Sequence, residues 1–261
     1  MTRPAISRRT VHTLAVAALC VAVIPSVGAQ QGRGGGPPPQ AAQSPRAAAP
    51  IDLAGYWVSI VNEDWRWRMV TPLKGDVASV PVSPEGRKIA ESWDPATDGS
   101  CLAYGAAGLM RLPTRLHITW ENDNTLKIDT DAGTQSRRLF FDKTTSPPAA
   151  KSLQGFSLAE WERGAARGGG RGGPAPAAFG NLKVTTTSMS GGWLRRNGVP
   201  YSDQTTMTEY VDRFATPGGD QWMVITTAVT DPKYLSQEFV TSTHFRREPD
   251  GSKWDPTACR P

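Results

Sequence analysis

RLHITWENDNTLKIDTDAGTQSRRLFF, residues Arg115 to Phe141, decides the fold. Leu116, Ile118 and Trp120 alternate with Arg115, His117 and Thr119, the period-2 signature of a strand with one apolar and one polar face. Glu121 to Asn124 then supplies short polar side chains that bond their own backbone and favour a tight turn. Alternation resumes over Leu126 to Thr130, breaks at Asp131-Ala132-Gly133, and returns from Thr134 to Phe141. The stretch therefore predicts a three-stranded antiparallel meander with no helix inside it.

Working outward, one helix is expected, Pro84 to Trp93: Ser83 can cap it, Pro84 suits its first position, Ile89 and Trp93 share a face, and Pro95 ends it. Elsewhere the pattern is strand upon strand. Ile51 to Ile60, Trp65 to Met69, Ser152 to Glu162, Asn181 to Met189, Met207 to Phe214, Trp222 to Val229 and Glu238 to Arg247 all read as β. About ten strands and one short helix predict a mainly β, single antiparallel barrel of 8–10 strands, since closure removes unpaired edges.

The ends and one insert are not domain material. Residues 1–29 read as an export signal: Arg3, Arg8 and Arg9 form a basic start, Leu14 to Ile24 is apolar and too short to span a bilayer, and Val27-Gly28-Ala29 suits the peptidase. Ser7-Arg8-Arg9 leaves general and twin-arginine export both open, while Leu19 before Cys20 argues against a lipoprotein. Residues 30–50 read as a disordered linker, 51–261 as the barrel domain, and 164–178, GAARGGGRGGPAPAA, as a disordered hairpin insert. A periplasmic or secreted protein with no membrane span in its mature form follows.

Charge excludes a nucleic-acid partner. Of 29 Lys and Arg, three lie in the signal and four in low-complexity segments (Arg33, Arg46, Arg167, Arg171), leaving 22 against 24 Asp and Glu. The folded part thus carries no net basic footprint for a phosphate backbone. Without the signal two cysteines remain, Cys101 and Cys259. An even pair in an oxidising compartment favours a disulfide, with a thiol nucleophile or metal pair as the alternative.

Gly55-x-Trp57 at the start of the first strand, with Arg246 or Arg247 near the end of the last, resembles the lipocalins, in which the tryptophan closes one end of the barrel beneath that arginine. A broader resemblance is to a large family of uncharacterised secreted bacterial proteins. It rests on Asp52 to Trp57, Cys101, Met110 to Pro113, Thr119-Trp120-Glu121, Gly155-Phe156-Ser157 with Trp161-Glu162, Leu182 to Thr186, Leu194 to Ser202, Thr208-Glu209-Tyr210 and Asp231-Pro232. It implies export and a lipocalin-like barrel, and no activity.

The lumen is where a site is expected. If the Leu116, Ile118 and Trp120 face packs outward under the helix, His117 points inward and His244 joins it from the last strand. The leading expectation is a small hydrophobic or amphipathic ligand held by Trp57, Arg66, Arg68, His117, Arg137, Glu209, Tyr210 and His244. The alternatives are acid/base chemistry of isomerase, cyclase or hydrolase type, by His117 or His244 with Asp129, Asp131 or Glu209, and a structural envelope module without a pocket. Haem on a histidine is a remote option. No Cys/His cluster has zinc spacing, and Asp129-Thr130-Asp131 lacks the rest of a calcium loop, so no metal is expected.

Overall fold

The computed structural model describes residues 43–96, 98, 101–163 and 180–260. The expected export signal, most of the expected linker and the glycine-rich insert lie outside them.

The expected meander is present as β2 (Arg115–Asn122), β3 (Thr125–Thr130) and β4 (Gln135–Phe140). With β1 (Gly55–Ile60), β5 (Phe156–Arg163), β6 (Gly180–Thr187), β9 (Thr206–Ala215), β10 (Gln221–Thr230) and β11 (Phe239–Glu248) they close a nine-stranded barrel in the order β1-β11-β10-β9-β6-β5-β4-β3-β2. The barrel is mixed and not purely antiparallel. An odd number of strands cannot alternate direction all the way round, and the parallel pair falls between β4 and β5. These two meet only at Leu139 with Ser157 and Phe140 with Leu158, whereas β9 and β10 pair along their whole length. Residues 141–155 are the crossover that returns the chain to start a strand parallel to the one it left. Gly155, at φ 63°, makes the last turn of that crossover, and a Cβ there would meet the Thr187 carbonyl at 2.5 Å.

Leu116, Ile118, Leu126, Ile128, Leu139, Leu182, Val184, Val211, Met223, Ile225 and Phe245 form one buried cluster with Trp57. These are the inward positions of their strands, so the face of Leu116 and Ile118 points into the barrel and the expectation that it packs outward is corrected. In a barrel of this size the lumen is the hydrophobic core, and apolar side chains gain most by filling it. α2 (Pro84–Ser92), capped by Ser83 Oγ on the Gly86 amide at 3.1 Å, packs instead on the turn after β10, where a Cβ on Gly86 would lie 2.6 Å from the Tyr234 carbonyl.

Each end of the barrel is covered. Trp57 is fully buried at one end and donates Nε1 to the Leu53 carbonyl at 2.9 Å, with the Arg247 guanidinium 5.7 Å above its ring. Gly55, at φ 125°, leaves room for that guanidinium, since a Cβ would meet Arg247 Nη2 at 3.1 Å. The described residues before Ile51 are held to the barrel, for the Pro45 carbonyl accepts from Trp161 Nε1 at 2.8 Å and the Ala48 carbonyl from Arg163 at 2.9 Å. Backbone acceptors, which any composition supplies, hold this segment although it has no large apolar side chain.

The other end, the mouth, carries a second cluster that includes Met189, Leu194, Val199, Tyr201, Met207, Val229 and Phe239. It is roofed by α2, a 3-10 turn Leu102–Tyr104, α3 (Ala106–Leu109) and the hairpin of β7 (Gly192–Arg195) with β8 (Val199–Tyr201). Trp65 to Met69, expected as a strand, is α1 (Trp65–Arg68). Four alternating residues are too few to specify a strand, and the helical turn brings Arg68 back to Glu63 and to the Arg111 carbonyl. Cys101 and Cys259 are disulfide-bonded, which fixes the C-terminal segment beside the β3–β4 turn. There Thr257 N donates to the Asp131 carbonyl at 2.9 Å.

Candidate functional site

The two histidines do not enter the lumen. His117 lies on the outer face of β2, stacked on Tyr56 at 4.1 Å between ring centroids and edge-on to Trp254. His244 is paired with Glu63 at 3.1 Å, on the outer face of β11. Their partners on β1, Tyr56 and Ile60, are four residues apart, so the imidazoles do not meet. The same alternation that turns Leu116 and Phe245 inward turns His117 and His244 out.

The remaining candidates scatter. Asp129 is outside, bound to Lys127 at 2.9 Å. Asp131 anchors the β3–β4 turn, accepting from the amides of Arg115 and Ala132, both at 2.7 Å, and from the Thr114 hydroxyl at 2.9 Å. Tyr210 faces outward and Trp57 is core. Arg66 is exposed over the Trp67 ring, while Arg68 is buried at the mouth.

Only Arg137 and Glu209 meet in the lumen. Arg137, 1% exposed on β4, reaches across β5 and β6 to Glu209 on β9 in a two-pronged contact of 3.0 and 2.6 Å. On the way Nη2 also donates to the hydroxyls of Thr186 at 3.2 Å and Ser157 at 3.4 Å. Thr130, Arg137, Ser157, Thr186, Glu209, Thr227 and Thr243 are buried polar residues, one from each of seven strands that follow one another round the barrel. They form a polar belt between the two apolar clusters. The bidentate contact matches the two buried charges and places the pair across the lumen, with Arg137 Nε left without a partner among the described residues. Tyr201, whose ionisation burial pushes well up, sits close enough to Arg137 for the guanidinium to oppose that shift.

Room exists outside, at the parallel seam. Because β5 joins β4 only at its far end, the edge of β4 from Ser136 to Arg138 borders a groove of about 530 Å³. Phe140 and Phe156, stacked at 5.4 Å, and Leu153 and Pro148 give it an apolar wall. Ser136, Arg138, Ser152 and Gln154 give it a polar one. Arg138 is held by both oxygens of Glu121, at 2.8 and 2.9 Å, which raises its pKa and neutralises its charge. Gln154 donates Nε2 to the Tyr104 carbonyl and to Gln135 Oε1, which fixes its orientation and leaves Oε1 without a donor among the described residues. An apolar body with a polar edge matches this arrangement.

Sequence reasoning missed this groove because it arises from strand order and not from any segment. Phe140 ended the legible meander and Phe156 began the next strand, but nothing local says that the two run parallel. Among the described residues no group of three or more His, Cys, Asp or Glu is placed to hold a metal, and no helix is long and apolar enough to cross a membrane. No protein-family model, curated protein or solved structure matches this chain.

Proposed function

We propose that this is an exported, lipocalin-like β-barrel protein that binds a small amphipathic molecule, seated in the seam groove and not in the lumen. The groove carries the reading: its volume lies in the range of small-molecule sites, and its walls divide into stacked aromatics and a few fixed polar groups. The Arg247 guanidinium above Trp57 supports the lipocalin-like comparison, and the disulfide suits an oxidising compartment.

The test is titration with an environment-sensitive amphipathic dye, 1-anilinonaphthalene-8-sulfonate. Saturable binding at one site is expected. Phe140→Ala, which strips the half-buried wall of the groove, should weaken it about tenfold, or about 1.4 kcal/mol. The double variant His117→Gln/His244→Gln should bind as the wild type does. Absence of saturable binding, or equal affinity after Phe140→Ala, would refute the seam site.

A further inference from the structure

Three arginines are buried together at the mouth: Arg68 (3% exposed), Arg111 (6%) and Arg195 (4%). They come from α1, from the turn after α3 and from the end of β7, so only the tertiary fold assembles them. Buried guanidinium groups are tolerated when their donors and charge are matched, and two of these are matched in part. Arg68 pairs with Glu63 and donates Nε to the Arg111 carbonyl at 2.7 Å. Arg111 pairs with Asp64 at 2.8 Å.

Arg195 is different. Among the described residues none of its three guanidinium nitrogens has a hydrogen-bond partner, and no carboxylate stands within ion-pair distance. Its Cζ lies 4.8 Å from the Trp67 ring centroid. Asp76 acts on it only from a distance, for its oxygens take the Trp67 indole N–H at 3.0 Å and the Ala78 amide at 3.1 Å. Burial, reinforced by the charge of Arg111, pushes Arg195 down to about 10, a sign that a positive charge here lacks compensation. Nη2 of Arg68 and both Nε and Nη1 of Arg111 are also without partners. All three side chains line a single small cavity of about 10 Å³, together with Trp67, Leu194 and a fourth arginine, Arg196, which donates Nη2 to the Arg68 carbonyl at 3.1 Å.

We propose that this cavity binds one small monovalent anion of halide size. Four guanidinium groups line the cavity, Arg68, Arg111, Arg195 and Arg196, against three nearby carboxylates, Glu63, Asp64 and the more distant Asp76, which leaves one positive charge to balance and fits a single negative charge. A volume of this order holds one water-sized particle, too little for phosphate or sulfate. Unused donors on three arginines surround it, an arrangement in which the anion replaces hydration that burial has removed.

Bromide is the probe, since its anomalous scattering distinguishes it from water. Crystals of the full chain grown in bromide should show an anomalous peak within hydrogen-bonding reach of Arg195. In solution, replacing gluconate by chloride at fixed ionic strength should raise the wild-type Tm by several degrees. Arg195→Met, which keeps the stem and removes the charge, should abolish that difference. A cavity holding water only, seen as no anomalous peak, would overturn the proposal, as would equal Tm values in the two salts. Should Arg195→Met fail to fold, the anomalous map of the wild type decides alone.

Discussion

The lumen and the seam are built from the same strands and end in opposite states. Inside, apolar residues cluster with Trp57 and Phe245, and the charged crossing from Arg137 to Glu209 is closed by two hydrogen bonds, with Arg137 Nε left without a partner among the described residues. At the seam β4 and β5 share only two register positions, and the unpaired edge opens onto a groove between Phe140, Phe156 and Gln154. The difference shows that room in a small barrel follows from how it closes. Nine strands force one parallel junction, the crossover that makes it passes outside, and the space lies beneath that crossover.

The largest expected effect breaks the lumenal side. Arg137→Met leaves Glu209 buried without a partner and should lower unfolding free energy by about 3–5 kcal/mol in a urea titration. The double variant Arg137→Met/Glu209→Leu removes both charges and should recover most of that loss. It should also bind the dye with wild-type affinity. A double variant with altered affinity would move the site back into the barrel.

A smaller effect concerns the mouth, where Asp231 holds the β10–β11 turn against β8. Burial opposes its ionisation, but the amides of Ser202, Tyr234 and Lys233 and the Thr205 hydroxyl outweigh that and hold its carboxyl below the usual range. A depressed folded pKa means stabilisation that is complete above the unfolded value, near 3.9, and is lost as pH falls through the folded one. Asp231→Asn should cost about 2 kcal/mol at pH 7, and the gap to wild type should narrow below about pH 4. A pH-independent gap would mean that the charge plays no part. Dye affinity at the seam should not change.

Much of this was legible in sequence where the signal is local. Alternation gave the meander, Ser83-Pro84 gave the start of α2, and Gly55-x-Trp57 with a distant arginine anticipated the closed end, where Arg247 and not Arg246 covers the indole. Alternation also separates the two faces of a strand without saying which is inside. Leu116 and Ile118 settle that by their apolarity, and with them the outward direction of His117. Asn197-Gly198, with Gly198 at φ 75°, is a hairpin signal for β7 and β8, two strands too short for alternation to mark. Arg195 and Gln154 had no local mark at all. Their unused polar groups appear only when distant segments are brought together.

The most direct test of the seam site is an amide NMR titration of the wild-type protein with 1-anilinonaphthalene-8-sulfonate. Binding at the seam should shift the amides of Ser136 to Phe140 and Leu153 to Phe156 while those of Val184, Glu209 and Thr227 stay in place. Shifts concentrated on Val184, Glu209 and Thr227 instead would contradict the account and put the ligand in the lumen.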